Sequence, residues 1–351
     1  MQIQINPFTV RKRFALKISR GSKTHNTNIW VSVEHDGITG WGEATPFSTG
    51  TSVQTTGEIV AALKVIVPIL ELFSPLERQQ MQTTLAKSGI SLPSAARAAL
   101  DMACYDWLGK SVNCPLWQLW GLDRQHIPAT SVTIGISSPE AARERLRHWQ
   151  EMLPVRYLKV KLGSLEGIEA DRAMLDALLE VVPEGCKVYV DANGGWNVKQ
   201  AIAMAGTLKE WGIEYIEQPL APGREQDLIQ LYEKSPLPIF VDESCHTRTD
   251  IPLLADRIHG INIKLMKAGG LSEAMAMIHT ARACGLQVML GCYSDSSLSN
   301  TAASHLGALV DYLDLDSHLN LIDDPFTGAT LQDSCLIPNS HPGLGVTRND
   351  S

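Results

Sequence analysis

The sequence predicts an α/β fold, a barrel of parallel strands preceded by a separate α+β unit, and three observations point there. The first part of the chain carries strand and turn signals and then helical ones, a grouping typical of a self-contained α+β unit. From Ile127-Pro128 onward, short apolar strands alternate with amphipathic helices; eight strands joined by seven helical links match the barrel's count. The sequence has no Gly-rich dinucleotide or phosphate-loop fingerprint that would favour an open doubly wound sheet.

In the first unit, Ile29 to Glu34 alternates as a strand, His35-Asp36-Gly37-Ile38 supplies Asp-Gly turn chemistry, and Gly40 to Ala44 returns beside it. Apolar residues at helical spacing place helices over Ile59 to Leu72 and Ala95 to Leu108. Ser94 is placed to cap the second, and Asn113-Cys114-Pro115-Leu116 opens a further short helix. The barrel strands read as Thr130 to Gly135, Tyr157 to Gly163, Val188 to Asp191, Tyr215 to Gln218, Ile239 to Asp242, Ile261 to Lys264, Val288 to Gly291 and Tyr312 to Asp316. Their links are clearest as helices over Ser138 to Met152, Glu169 to Val181, Val198 to Trp211 and Ser272 to Cys284. The α+β unit is thus expected at 1–125 and the barrel at 126–324, with the C-terminal segment 325–351 packing back on the first unit.

Of 351 residues, 44% are hydrophobic and 19% charged, the balance of a soluble globular chain. A formal net charge of -8 argues against nucleic acid or an anionic membrane as the main partner, since either would want a basic face. Met1 to Asn6 alternates like a strand and lacks the apolar core of a secretory signal, and no stretch reads as a membrane span. A cytoplasmic location is therefore expected. Seven cysteines without paired short spacing read as free thiols of a reducing compartment. A homo-oligomer is compatible with these properties, and none of them requires it.

In a βα barrel the chemistry sits at the C-terminal ends of the strands. There the second strand carries Lys159 and Lys161, which at i and i+2 share one side, and the next four strands end on Asp191, Glu217, Asp242 and Lys264. Three acidic groups on neighbouring strands repel one another unless a cation lies between them, and an all-carboxylate set suits a hard ion such as Mg²⁺. The lysines flank that set, a potential base on each side. Desolvation and mutual repulsion are expected to lower a lysine pKa there. Taken singly, Asp191 could cap a helix, Glu217 and Asp242 could form structural ion pairs, and each lysine could face solvent. Charge at the ends of five consecutive strands favours a site.

These residues resemble a known family. Lys159-Val160-Lys161, Asp191-Ala192-Asn193, Ile216-Glu217-Gln218-Pro219-Leu220, Asp242-Glu243-Ser244 and Asn262-Ile263-Lys264-Leu265-Met266-Lys267-Ala268-Gly269-Gly270 look like the muconate lactonising enzyme subgroup of the enolase superfamily. Gly40-Trp41-Gly42-Glu43-Ala44-Thr45-Pro46 is similar to that family's N-terminal capping domain. The resemblance implies a modified TIM-type (β/α)7β barrel with an α+β capping domain, and Mg²⁺ on Asp191, Glu217 and Asp242. It implies Lys161 and Lys264 as acid and base on opposite faces of the substrate, with Lys159 acting electrostatically and Lys267 as the fallback for Lys264. A proton α to a carboxylate is weakly acidic, because its removal sets a second negative charge beside the first. Binding the carboxylate to Mg²⁺ near Lys159 stabilises the enediolate that results, and this superfamily is a standard case of lysine bases beside Mg²⁺. With a base on each face, the outcome is racemisation or epimerisation.

The subgroup includes cycloisomerases, o-succinylbenzoate synthases, N-succinylamino acid racemases and dipeptide epimerases. Asp314 and Asp316, at i and i+2 on the eighth strand, are similar to the Asp-x-Asp motif by which dipeptide epimerases hold the substrate's α-ammonium group. A succinyl substrate has no such group. Asp242 to Arg248 and Ile18 to Thr24 resemble the L-Ala-D/L-Glu epimerases in particular. Arg20 and Lys23 would then fall in the mobile capping loop, there either to pair with an acidic side chain or to stand in solvent. Thr133, Asp295 and Ser297 complete the implied substrate contacts. Two residues depart from the pattern: Ser317 follows the Asp-x-Asp where glycine is common, and Asp295 stands where the family often has Glu, an added carboxylate that would suit a cationic or neutral dipeptide. The expected activity is Mg²⁺-dependent epimerisation of a small-molecule dipeptide at its C-terminal residue, of Ala-Glu type. An o-succinylbenzoate synthase or N-succinylamino acid racemase is the alternative, and a non-catalytic metal-binding barrel the remote one.

Overall fold

Gln2–Ile18 (β1) and Gly21–His35 (β2) form one long antiparallel hairpin turned through Ser19 and Arg20, and Ile38–Ala44 (β3) pairs with β2 to complete a three-stranded sheet. The computed structural model describes residues 1–349. The hairpin is longer than the sequence suggested: pairing runs from Gln2↔Glu34 to Ile18↔Gly21, with a register shift between Arg11 and Leu16. The segment expected to be a loop is therefore a hairpin tip. Ile29, Val31 and Val33 are buried on β2, beneath the helices Thr56–Leu70 (α1) and Ser94–Ser111 (α3). A reciprocal capping box between Thr55 and Glu58 starts α1. Between them lies Arg78–Ser88 (α2), which periodicity did not predict, because Met81 is its only buried residue and no side chain caps its start.

The docking of α3 onto the sheet explains Gly40-Trp41-Gly42. A Cβ at Gly42 would stand 1.9 Å from the Ala99 carbonyl, and one at Gly40 2.1 Å from that of Ala103, both on the α3 backbone. Gly42→Ala is expected to push helix and sheet apart at a cost of about 1–3 kcal/mol and to lower the calorimetric thermal midpoint. A midpoint equal to the parent's would remove Gly42 from this contact.

Eight parallel strands follow: Val132–Ile134, Tyr157–Lys161, Lys187–Asp191, Ile216–Glu217, Ile239–Val241, Gly260–Lys264, Gln287–Gly291 and Tyr312–Asp314, each paired with the next. A parallel bridge from Thr130 to Leu313 brings the last back to the first. Side chains alternate along a strand, so the interior is layered. Tyr189, Tyr215, Phe240 and Met289 form an apolar floor with Tyr157 and Tyr312 packed against them. Ring centres are 4.5 Å apart for Tyr189 and Tyr215 and 4.3 Å for Tyr215 and Phe240. Two positions further on, the same strands present Lys159, Asp191, Glu217, Asp242, Gly291 and Asp314. Charge therefore collects above an aromatic plug.

After the last strand the chain runs back along the N-terminal unit. Phe326 packs edge-on against Phe8 and Trp41, and Asp106 on α3 accepts hydrogen bonds from the backbone of Leu344 at 2.7 Å and of Trp41 at 2.8 Å. All seven cysteines are free. Among the described residues no helix is long and apolar enough to cross a membrane.

Candidate active site

The charged residues that end the second to sixth barrel strands meet at the mouth. Lys159, Asp191 and Glu217 are fully buried, while Lys161 and Lys264 keep 7% and 5% exposure. Lys161 stands opposite Asp191 in the strand register, and Asp191 opposite Glu217. Residues of the sequence motifs hold the Asp191 and Glu217 carboxylates and the Asp242 backbone in place. Asn193 donates its backbone N–H to Asp191 Oδ1 at 2.8 Å and its Nδ2 to Oδ2 at 3.1 Å. Asn262 Nδ2 donates to Glu217 Oε1 at 2.9 Å, and Gln218 Oε1 accepts the Asp242 N–H at 2.9 Å and the Ser244 N–H at 3.3 Å. Asn193 and Gln218 hold φ angles of 45° and 37°, a left-handed conformation that these hydrogen bonds must sustain.

Each carboxylate also faces ammonium groups. Lys159 Nζ lies 2.7 Å from Asp314 Oδ2, 2.8 Å from Glu217 Oε2 and 3.5 Å from Asp191 Oδ2. Lys161 Nζ donates to Asp191 Oδ2 at 2.6 Å, and Lys264 Nζ to Asp242 Oδ2 at 2.7 Å. Lys267, the fallback base, is tied inward to Asp242 Oδ1 at 2.7 Å, to the Asn262 carbonyl at 3.0 Å and to the Asp242 carbonyl.

At Lys159 and Lys264 the shift runs upward, opposite to the lowering expected from desolvation and mutual repulsion. Burial disfavours the Lys159 ammonium, but Asp314, Glu217 and Asp191 outweigh it and hold the pKa well above the usual lysine range. Burial of Lys264 is likewise outweighed, by Asp242 and Tyr293. What each amine meets is carboxylate rather than another amine. On the acidic side, burial opposes the Asp191 charge, yet Lys161 and Lys159 draw it down to about 2. Burial and Asp191 push Glu217 up to about 7.

Among the described residues no group of three or more His, Cys, Asp or Glu side chains is placed to hold a metal ion as it stands. Asp191, Glu217 and Asp242 each contact a lysine ammonium. The donors nonetheless suit a hard cation, being all oxygen and from adjacent strands. Asn193 Oδ1, Glu217 Oε2 and Glu243 Oε2 are buried without a hydrogen-bond partner, Glu217 Oε2 touching Lys159 only as an ion pair. Leftover buried acceptors are what a cation cage provides.

Asp314 and Asp316 line a cavity of about 290 Å³ over the mouth, together with Thr133 and Lys161. Asp314 Oδ1 accepts from Ser131 Oγ at 2.8 Å and Thr133 Oγ1 at 3.3 Å, and Asp316 Oδ2 accepts the Thr133 N–H at 2.7 Å. Burial and the neighbouring Asp314 push Asp316 up to about 6, whereas burial of Asp314 is overcome by Lys159 and Lys161, which lower it. Phe14, Leu16, Ile134, Ile136 and Trp149 supply apolar walls, and Lys12 and Arg145 add positive charge to the lining. The Arg145 guanidinium sits 4.1 Å from the ring centres of both Phe14 and Trp149.

The remaining residues assigned to substrate from the sequence lie outside this cavity's lining. Arg20, at the hairpin tip, is already engaged, with Nη2 on Glu243 Oε1 at 2.5 Å and Nη1 on the Asn193 carbonyl at 2.9 Å. Lys23 is exposed on the strand leaving the tip. Asp295 is buried outside the cavity lining, near Glu43 of β3, whose carboxylate accepts from Asn28, Ser296 and Ser299. Ser297 opens the helix Ser297–Ser304 and gives its N–H to Asp324 Oδ2 at 2.7 Å, also outside that lining. Arg20 and Asp295 are both engaged where the N-terminal unit meets the barrel: Arg20 of that unit reaches Glu243 and the Asn193 carbonyl, and Asp295 of the barrel lies near Glu43. Sequence reasoning passed over Tyr293, which lines the cavity with its ring 4.5 Å from Lys264 Nζ. Its only signal was a place two residues beyond the seventh strand, where an aromatic reads as packing.

Comparison with known proteins extends over the whole chain. Residues 2–121 match the family described as Mandelate racemase / muconate lactonizing enzyme, N-terminal domain, and residues 140–351 the one described as Enolase C-terminal domain-like. The chain is 42% identical to a "Hydrophobic dipeptide epimerase" of Flavobacteria bacterium (strain MS024-2A), over 99% of this chain and 98% of that one. It is 33% identical to an "L-Ala-D/L-Glu epimerase" of Bacteroides thetaiotaomicron, over 99% of this chain and 88% of that one. In structure it is similar to a dipeptide epimerase from Enterococcus faecalis V583 complexed with Mg and the dipeptide L-Leu-L-Tyr, with a TM-score of 0.90, 29% identity and 99% of each chain covered.

Proposed function

Because the chain belongs to the mandelate racemase/muconate lactonizing enzyme family of the enolase superfamily and is a dipeptide epimerase, we propose that it inverts the C-terminal α-carbon of dipeptides whose N-terminal side chain is apolar. The observation that carries the substrate reading is Asp314 and Asp316 in one cavity lining with Lys161. Two buried carboxylates beside the proton-transfer site suit an α-ammonium group, whereas an N-succinyl substrate would bring them no cation.

Asp191, Glu217 and Asp242 hold Mg²⁺ in this reading, and the bound ion supplies Lewis-acid stabilisation of charge on the substrate carboxylate. Lys161 and Lys264 move the α-proton. They stand on the second and sixth of eight strands, across the mouth from each other, so one can take the proton as a neutral amine while the other returns one as an ammonium. Lys159, enclosed by three carboxylates, keeps its proton and lowers the cost of the second negative charge.

Side-chain preference follows from the cavity walls. Phe14, Leu16, Ile134, Ile136 and Trp149 can cover a leucine-sized group, worth about 1.5–3 kcal/mol over leaving it exposed. The 42% identical relative, called a hydrophobic dipeptide epimerase, supports the same preference. A second reading, an Ala-Glu substrate, is favoured by the position of Arg20 at the mouth, although its guanidinium would have to leave Glu243 for the substrate. The test is a panel of dipeptides in D₂O with Mg²⁺, read by mass spectrometry for α-deuterium. Leu-first dipeptides are expected to exceed Lys-first ones at least about tenfold in kcat/KM. Ala-Glu outrunning every apolar dipeptide would hand the site to the second reading.

A further inference from the structure

Tyr293 lies two residues past the strand Gln287–Gly291 and has no part in the chemistry above. One face of its ring is stacked on Phe47 of the N-terminal unit, with centres 4.6 Å apart and planes 13° from parallel. Lys264 Nζ stands 4.5 Å from its ring centre, so the ammonium is held between the ring and Asp242 Oδ2 at 2.7 Å. Whenever Asp242 engages another cation, the ring is the contact left to aim Nζ. Its hydroxyl, moreover, is buried and has no hydrogen-bond partner. A buried hydroxyl without a partner is disfavoured, and an apolar side chain would pack the same wall without that defect. The residue also lines the cavity that holds Lys161, Asp314 and Asp316.

We propose that Tyr293 is a working part of the epimerase site: its ring positions Lys264, and its hydroxyl donates a hydrogen bond to an acceptor oxygen of the bound dipeptide. The inference rests on the reading of Lys264 as one of the two proton-transfer residues. It also gives the N-terminal unit a route to the chemistry, since Phe47 backs the ring that orients the base.

The two halves separate by substitution. Tyr293→Phe keeps the ring and removes the hydroxyl; Tyr293→Leu removes both, with Tyr293→Met replacing it should the leucine variant not fold. Each variant is given pure L,L or L,D dipeptide in D₂O with Mg²⁺, and KM, kcat and α-deuterium uptake are read for each epimer beside Lys264→Ala. The phenylalanine variant is expected to raise KM about five- to tenfold for both epimers at nearly unchanged kcat. The leucine variant is expected to lose at least a further factor of about ten in exchange, confined to the epimer whose exchange Lys264→Ala abolishes. An unchanged KM in the phenylalanine variant, or an equal further loss on both epimers in the leucine variant, overturns the proposal. If Lys264→Ala spares both epimers, the base assignment itself is what has failed.

Discussion

Chelation of divalent metal is expected to stop α-proton exchange from both epimers of every dipeptide substrate, a loss of at least about 10²–10³-fold, and Asp242→Asn is expected to do the same with Mg²⁺ present. The reason lies in the charge arrangement. Asp191, Glu217 and Asp242 are buried on three adjacent strands, and the side chains that now neutralise two of them, Lys161 and Lys264, are those assigned to proton transfer. A cation held by these carboxylates would lie within reach of the same oxygens that Lys161 and Lys264 contact. A second readout is independent of turnover. Mg²⁺ at about 100 times its Kd should stabilise the folded chain by about 2.7 kcal/mol, seen as a rise in thermal midpoint, and Asp242→Asn should abolish the rise. Full exchange in excess chelator, or an unchanged midpoint in the parent, would contradict the assignment.

The three lysines are expected to behave differently on substitution. Lys159 has no exposed surface and three carboxylates within 3.5 Å, so it is a fixed charge rather than a proton carrier. Lys159→Ala should depress exchange from both epimers. It should also destabilise the fold, because removing one partner strands buried carboxylates at a cost of about 3–5 kcal/mol. Lys161 meets one carboxylate, Asp191, and borders the cavity, while Lys264 stands four strands away beside Tyr293. Truncating either should remove a single proton-transfer partner, worth about 10²–10⁴-fold, and only for the face it serves.

The barrel and its charged mouth could be read from the sequence because both signals are local. A charge two positions after Tyr189, Tyr215 and Phe240 is written in the strand itself, and strand order in repeated βα units follows chain order. What could not be read depends on how the N-terminal unit docks. Arg20 meets Glu243 across 223 positions, and Glu43 meets Ser296 across 253. No periodicity reports such pairs, so Arg20 and Asp295 looked free for substrate. The upward shift at Lys159 was not legible for a related reason: the Lys-x-Lys spacing shows one like charge at i+2, whereas the three carboxylates around Lys159 come from three other strands. Tyr293 was missed because an aromatic at a strand end is ordinary packing until Lys264 Nζ is placed against its ring.

The central claim is that Lys161 and Lys264 work from opposite faces of one α-carbon. Deuterium uptake by each pure epimer of a single apolar dipeptide, measured with Lys161→Ala and with Lys264→Ala in D₂O and Mg²⁺, tests it most directly. The account predicts complementary losses: each variant fails on one epimer, retains exchange on the other, and the two variants fail on different ones. Equal loss from both epimers in either variant would contradict it.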